Sequence, residues 1–373
     1  MFNHDSSKDW LILPGSLDGP FLRARPSGAS SFRRCQGEAD VLETPFFTVI
    51  IVNYNSGAFL QKAVESLVVQ TFQSFELLVV DNDSQDHSLR TLDMSEIEQA
   101  QLMKMGKNTG FAKANNAAAK KARGEWLVLL NADAEAAPNW LEEIHNGIGR
   151  HPGVTMFAST QLRMEETGRI DGVGDCYTAY GYPWRGGFMK PVSIIPTEGE
   201  CFSACGASAI YHRNTFLRHK GFDETFFCYV EDSDLAFRMR LAGETCVFLP
   251  NAIVTHFGGG SSGEESHFSV THGARNRVWA YVGNMPSLIF WPTLPIHLML
   301  TLYLLVFYFG RPYSAYVWEG SRAGWAKAFE VRKQRDSLRK NRKVSLGKLA
   351  SRLTWNILRM SARLPDVRPI KKP

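Results

Sequence analysis

From residue 46 the chain alternates between two hydrophobic rhythms. "FFTVIIVN" (46–53) is an unbroken aromatic and β-branched run, the pattern of a strand covered on both faces. "SGAFLQKAVESLVVQ" (56–70) follows, with Phe59, Leu60, Val64, Leu67 and Val68 at helical spacing. The alternation repeats through "ELLVVD" (76–81), a polar turn, "AQLMKMG" (100–106), a helix over 111–124 and "EWLVLLN" (125–131). Strands alternating with helices predict right-handed βαβ units and a Rossmann-like α/β fold, its mostly parallel central sheet flanked by helices. In such sheets ligands lie beyond the carboxyl ends of the strands. The three clearest strands end there in hydrogen-bonding groups: Asn53-Tyr54-Asn55, Asp81-Asn82-Asp83 and Asn131-Ala132-Asp133.

After residue 150 the order loosens. "GDCYTAYGYPWRGGFMK" (174–190) reads as a Gly/aromatic binding loop or lid, and "ACGASAIYHR" (204–213) as a strand entered through small residues. "EDSDLAFRMRLAG" (231–243) is a helix stopped by Gly243, "TCVFLP" (245–250) a strand, and "THFGGGSSGEES" (255–266) a glycine loop. The expected division is an irregular arm over 1–44, an α/β domain over 45–284 and an apolar, basic region over 285–373.

Charge changes the picture of that last region. Residues 311–373 hold 17 Lys/Arg against 4 Asp/Glu, so the remaining 310 residues are net acidic although the whole chain is +5. A basic tail favours polyanions or anionic lipid. Ahead of it, "LIFWPTLPIHLMLTLYLLVFYF" (288–309) is long enough to span a bilayer but is interrupted by Pro292, Pro295 and His297. A single span would also put the basic tail opposite a cytoplasmic body, against the positive-inside bias. The expectation is a helix lying in the cytoplasmic membrane interface or a re-entrant pair, with a buried core helix as the alternative. The six cysteines form no metal-site spacing and read as structural core residues of a reducing compartment. "MFNHDSSKDWLILPGS" has no secretory pattern, so the expected location is cytoplasmic, peripheral to the inner face of the plasma membrane.

The chemistry concentrates at the strand ends. A carboxylate just past a buried strand, as Asp133 beside Asn131, can bind a hard divalent cation or simply cap the next helix. Asp81 could accept an imide N–H of a pyrimidine, and Tyr54 could stack on a base. In "GKNTGFAKANN" (106–116) a helix start could meet phosphate or ribose, or be an ordinary capping box. Neither GxxxxGK[ST] nor a strand-following GxGxxG occurs, which removes P-loop and dinucleotide readings. Glu231, Asp232 and Asp234 crowd one helix start. Their repulsion can lift one carboxyl toward general-base range, and Arg238 can hold Asp234 by an i,i+4 pair. His256 ends "AIVTH" beside the glycine loop and could be structural or a ligand.

"FTVIIVNYNSGAFLQKAVESLVVQTFQSFELLVVDNDSQD", "NTGFAKANN", "LLNADA", "GFDETFFCYVEDSDLAFRMRLAG", "PNAIVTHFGG" and "RNR" resemble, in order, the inverting family 2 glycosyltransferases of GT-A fold, nearest their rhamnosyltransferase-like branch. The likeness covers about residues 46–284. It implies that Asp81 reads the pyrimidine with Tyr54 beside it. Asn55, Asp83, Asn108, Gly110, Asn115 and Asn131 would complete the nucleotide-sugar site, with Gly206 and Ala207 lining the donor sugar. It implies Asp133 and His256 as ligands of Mg2+ or Mn2+, Asp232 as catalytic base, and Glu231, Asp234 and Arg238 as support for the acceptor site. Asn131 stands where the family's Asp-x-Asp motif begins with Asp. "ARNRVW" is only distantly similar to Gln-x-x-Arg-Trp, which argues against a processive synthase. The implied donor is dTDP-rhamnose or a UDP-hexose, and the acceptor a glycan or polyprenyl-linked glycan of bacterial surface polysaccharide assembly, with no nucleic acid partner. A sugar-phosphate nucleotidyltransferase shares the sheet and metal, but "NYNSGAFL" lacks that class's basic loop. A non-enzymatic adaptor working through the tail would not need carboxylates at several strand ends. Truncation after residue 310 should separate the two, with the enzyme keeping sugar-nucleotide hydrolysis.

Overall fold

The computed structural model describes residues 44–258 and 266–370, so the expected N-terminal arm and most of the glycine loop lie outside the described residues. The strands are β1 (Phe47–Asn53), β2 (Phe75–Asp81), β3 (Ala100–Lys104), β4 (Trp126–Leu129), β5 (Ala134–Ala136), β6 (Met156–Arg163), β7 (Ile170–Val173), β8 (Asp175–Tyr177), β9 (Pro183–Arg185), β10 (Gly199–Cys201), β11 (Ala209–His212) and β12 (Cys246–His256). The central sheet runs β10-β12-β6-β11-β4-β1-β2-β3, with β5 added to β12 and β7 to β6, while β8 and β9 form a separate ribbon.

β1 is apolar at Phe47, Val49, Ile50 and Ile51 because both faces are covered. Val49 and Ile51 meet Leu60, Val64 and Leu67 of α1 (Phe59–Val68). On the other face Ile50 shares a cluster with Ala114 and Ala118 of α2 (Phe111–Lys121). The first face also takes Trp140, Leu141 and Ile144 of α3 (Trp140–Arg150). The second takes Phe216 of α4 (Arg213–Arg218) with Leu235 and Met239 of α5 (Glu231–Leu241).

β1, β2, β3 and β4 are parallel, as are β6 and β12, but β11 is antiparallel to both β4 and β6. The sheet is therefore mixed rather than a plain βαβ array. β11 starts from the cleft end, so without a crossover helix it can only run back. That reversal sets the small residues before it against the end of β4, where the Asn131 N–H donates to the Ala207 carbonyl at 3.0 Å.

Three long helices follow: α6 (His267–Asn284), α7 (Ser287–Phe307) and α8 (Pro312–Ala326). α7 is the one described helix long and apolar enough to cross a membrane by length and composition. It buries Ile289, Phe290, Thr293, His297, Leu300 and Thr301 and exposes Leu288, Trp291, Leu298, Met299, Leu302, Tyr303, Val306 and Phe307. It is not buried all round.

The basic tail is partly spent inside the protein. Asp234 is fully buried, and Arg238 Nε (2.9 Å) and Asn284 Nδ2 (2.7 Å) donate to it. Arg335 also bonds Asp234, and reaches Asp223 at 2.5 Å. Burial alone would raise Asp234, but Arg335 and Arg238 outweigh it and hold the carboxyl below its usual range. Glu200 is likewise held by Arg240 at 2.9 Å and Arg352 at 2.7 Å. Cutting after residue 310 would strip guanidinium partners from two buried carboxylates, so that truncation does not isolate the tail's role. Losing one partner of a buried pair costs about 3–5 kcal/mol. Arg335→Ala should lower unfolding free energy in urea by about 3 kcal/mol, and a change below about 1 kcal/mol would refute the pairing.

Candidate active site

The strand ends surround a cleft of about 1090 Å³ whose walls include Tyr54, Asn131, Asp133, Gly206, Asp232 and His256. One edge is set by strand pairing. β5 is antiparallel to β12 with Ala134 opposite His256, and the Phe257 N–H donates to the Asp133 carbonyl at 2.9 Å. Asp133 Oδ1 consequently lies 3.2 Å from His256 Nε2, with Asn131 Nδ2 at 3.3 Å from the same nitrogen. His256 Nδ1 faces Asp171 Oδ2 at 2.9 Å, and Arg185 Nη1 donates to both Asp171 oxygens at 2.8 Å. Burial disfavours the imidazolium, but Asp133 and Asp171 outweigh it and raise His256 to about 9. A carboxylate behind an imidazole fixes the ring's orientation, leaving the other nitrogen to the cleft. A carboxylate oxygen and an imidazole nitrogen this close, both facing the cleft, suit a divalent cation.

The second edge is the start of α5. Asp232 accepts the Gly206 N–H at 2.9 Å and the Ser233 N–H at 2.6 Å. Burial raises Asp232 above the ordinary aspartate value despite those bonds. Glu231 is pushed up further, by burial and then by the Asp232 charge, and its Oε2 has no hydrogen-bond partner among the described residues.

The turn that delivers α5 is strained. Phe227, Tyr229 and Val230 have φ of 66°, 71° and 69° without being glycine, at a cost of about 1–3 kcal/mol each. Asn276 holds it: its fully buried Nδ2 lies 3.0, 2.9 and 2.8 Å from the carbonyls of Phe226, Cys228 and Tyr229. Gly110 is required on the facing side, where a Cβ would come 2.5 Å from the Phe227 carbonyl oxygen.

The other expected site residues divide. Asn108 and Gly110 line the cleft, with Asn108 Oδ1 accepting from Asn82 Nδ2 at 2.9 Å and from the Gly110 N–H at 3.0 Å. Ala207 and Glu231 line it too. Asp81, Asn55, Asp83 and Asn115 are not among its lining residues. Asp81 is 5% exposed and accepts from Asn53 Nδ2 and the Ser84 N–H. Asn55 and Asp83 take left-handed turn conformations, φ 53° and 72°, and the Asn55 side chain accepts the Gln85 N–H at 2.8 Å. Asn115 Nδ2 returns to the Phe111 carbonyl at 2.9 Å. Asp234 and Arg238 also leave the cleft, since two residues along a helix is about 200° of rotation from Asp232. Arg238 instead donates to the carbonyls of His219 and Gly221 at 2.6 Å. Asp171, Asp175, Asn82, Arg185, Asn276 and Arg277 are site residues that sequence reasoning missed. Asn82 stood among the strand-end groups, Asp175 and Arg185 in the Gly/aromatic loop, and Asn276 and Arg277 in "RNR", none with this role; Asp171 carried no signal.

Residues 48–216 match the family model described as Glycosyl transferase family 2. The N-acetylglucosaminyl-diphospho-decaprenol L-rhamnosyltransferase of Mycobacterium tuberculosis is 24% identical over 255 residues, 61% of this chain and 82% of that one. The O-antigen biosynthesis protein RfbC of Myxococcus xanthus is 31% identical over 209 residues, 54% of this chain but 16% of that protein. Among solved structures, GalNAc-T7 with UDP, GalNAc and Mn2+ superposes with a TM-score of 0.52 at 15% identity, over 79% of this chain and 58% of that chain. That likeness is one of GT-A fold.

Asn276→Ala should lower stability by about 2 kcal/mol, because the part-buried Cys228 and Tyr229 carbonyls lose the amide that donates to them. Asn276→Asp should do at least as much, since a carboxylate cannot donate. Wild-type melting of both variants would show that the turn holds itself.

Proposed function

We propose that this chain, a glycosyltransferase whose residues 48–216 match the family 2 model, moves one sugar, with inversion, from a nucleoside-diphosphate sugar to a hydroxyl of a lipid-linked glycan. The observation that carries this reading is that Asp133, His256 and Asp232 open onto one cleft. Asp133 and His256 would hold Mg2+ or Mn2+, with Asp171 and Arg185 fixing the imidazole behind them. When bound, the cation supplies Lewis-acid neutralisation of the departing diphosphate.

The remaining work falls to the chain's own groups. Tyr54, 37% exposed at the cleft, offers a face to the base. Gly206 leaves room for the sugar: a Cβ there would sit 3.6 Å from Asp232 Oδ2 and 3.2 Å from the Phe111 ring. Asp232, raised by burial, takes the proton of the acceptor hydroxyl as its oxygen attacks the anomeric carbon.

The Mycobacterium relative's name joins L-rhamnose to a diphospho-decaprenol acceptor, which favours dTDP-rhamnose here over a UDP-hexose. Arg277 supports a phosphate-bearing acceptor. It lines the cleft 8% exposed, stacks on Tyr182 at 4.2 Å, and its Nε and Nη2 have no hydrogen-bond partner among the described residues. A buried guanidinium with two free donors suits a phosphate. The exposed face of α7, with Trp318 and Phe329 nearby in sequence and also exposed, would rest on the inner membrane surface.

Asp232→Asn should cut transfer at least about 10³-fold while sugar-nucleotide binding survives. Because the folded carboxyl is raised and must be ionised to act, wild-type kcat/KM should rise with pH through a group above the ordinary aspartate range. Asp133→Ala should remove the metal dependence of nucleotide-sugar binding in a thermal-shift titration. Equal loss of binding and transfer in Asp232→Asn, or unchanged titrations in Asp133→Ala, would contradict these roles. Leu302→Glu with Phe307→Glu should reduce sedimentation with anionic-lipid vesicles at least about tenfold, and undiminished binding would remove α7 from the membrane contact.

A further inference from the structure

Most buried carboxylates in this protein have an arginine. Glu76 has Arg123, Asp171 has Arg185, Glu200 has Arg240 and Arg352, and Asp234 has Arg238 and Arg335. Asp81 accepts from Asn53 and Ser84 instead, and the other departures among the described residues cluster at one place. Asp175, Cys205 and Asp232 bring a carboxylate oxygen, a sulfur and a carboxylate oxygen within 4.8 Å of one another on the cleft wall. Asp175 is 5% exposed, and its Oδ1 has no hydrogen-bond partner among the described residues. Its backbone is fixed by a two-way bridge with Ser203, the Asp175 N–H donating at 2.8 Å and the Ser203 N–H returning at 3.1 Å. A purely structural buried carboxyl would have its oxygens satisfied. This one is rigidly placed on the cleft wall with a buried acceptor atom left unpaired among the described residues.

We propose that Asp175 is a second acceptor-binding carboxyl, which hydrogen-bonds the sugar hydroxyl adjacent to the one that Asp232 deprotonates. The proposal rests on the assignment of Asp232 as base. Two hydroxyls on neighbouring ring carbons can each reach one carboxyl at about 2.7 Å across a gap of this size. Burial, and then the Asp232 charge, hold Asp175 in its neutral form, so it offers a proton as well as a free oxygen. Burial likewise keeps the Cys205 thiol protonated, so it does not compete as a thiolate. Asp175 forms and breaks no covalent bond. Its role is to select an acceptor with a free neighbouring hydroxyl and to turn the attacking oxygen toward Asp232.

The test uses the full chain with the N-acetylglucosaminyl diphosphate of a short prenyl chain and its monodeoxy analogues as acceptor probes. Wild type should lose about 30-fold in kcat/KM on the analogue lacking the hydroxyl beside the linkage position. Asp175→Asn should lose a similar factor on the complete acceptor, chiefly in KM, and nothing further on that analogue. Multiplying losses, or a wild type indifferent to every deoxy position, would overturn the proposal. So would a wild type inactive on the complete probe, which would also remove this acceptor class. Should Asp175→Asn melt well below wild type, Asp175→Ser serves as the second variant in the same cycle. Failure of the base assignment reads out separately, as transfer surviving in Asp232→Asn.

Discussion

The contact between Asp171 and His256 holds one edge of the cleft together. Asp171 is fully buried, and a lone charge there would cost several kcal/mol. Two arginines and the imidazole offset that cost, with Arg185 at 2.8 Å and Arg163 at 3.6 Å. In doing so they join β7, β9, β6 and β12 at one point. The imidazole's other nitrogen, Nε2, is left to Asp133 and Asn131 at the cleft. The position of Asp133 then follows from β5, which has nowhere to pair but the end of β12.

The opposite edge depends on strain. A helix whose first carboxylates face a cleft must be entered steeply, and three left-handed residues make that entry. The clamp for it comes from α6, outside the α/β sheet, and the counter-charge for the far face of the helix comes from Arg335 beyond α8. The C-terminal helices are therefore part of the machinery that orients Asp232, in addition to any surface role. This division explains why Asp232 and Asp234 part company. Neighbours in sequence, they lie on opposite sides of α5: one is left without arginine at the cleft, the other is saturated with it in the interior.

Periodicity made the parallel half of the fold legible, because β1, β2 and β4 are continuous apolar runs and α1 keeps strict helical spacing. Strand ends likewise pointed to the cleft, and Asn131, Asp133, Asp232 and His256 do share it. The antiparallel return of β11 was not legible, since strand direction leaves no trace in a four-residue apolar run. Nor was Asp171, a single carboxylate in "IDGV" whose partners lie 14 and 85 residues away. Side chains that end strands and turns looked alike in sequence, although Asn55 and Asn115 serve their own backbone while Asn108 meets the cleft. Local bonding competes with ligand binding for such groups, and only tertiary packing decides it.

The acceptor end of the cleft joins the proposed membrane contact through one helix. Tyr313 and Val317 of α8 form part of the cleft wall, while Trp318, one residue further, is 59% exposed. A one-residue step rotates the helix by about 100°, enough to carry the same element from cleft wall to outer surface. α7 packs on α8 and turns its own apolar face outward. A lipid-linked acceptor drawn up between these two helices would keep its chain on the apolar face and its diphosphate near Arg277. Its sugar would then lie inside the cleft, where the unpaired carboxylates are. The distribution of buried charge thus follows the course of such a substrate: arginine without a carboxylate where a phosphate would sit, and carboxylates without an arginine where hydroxyls would.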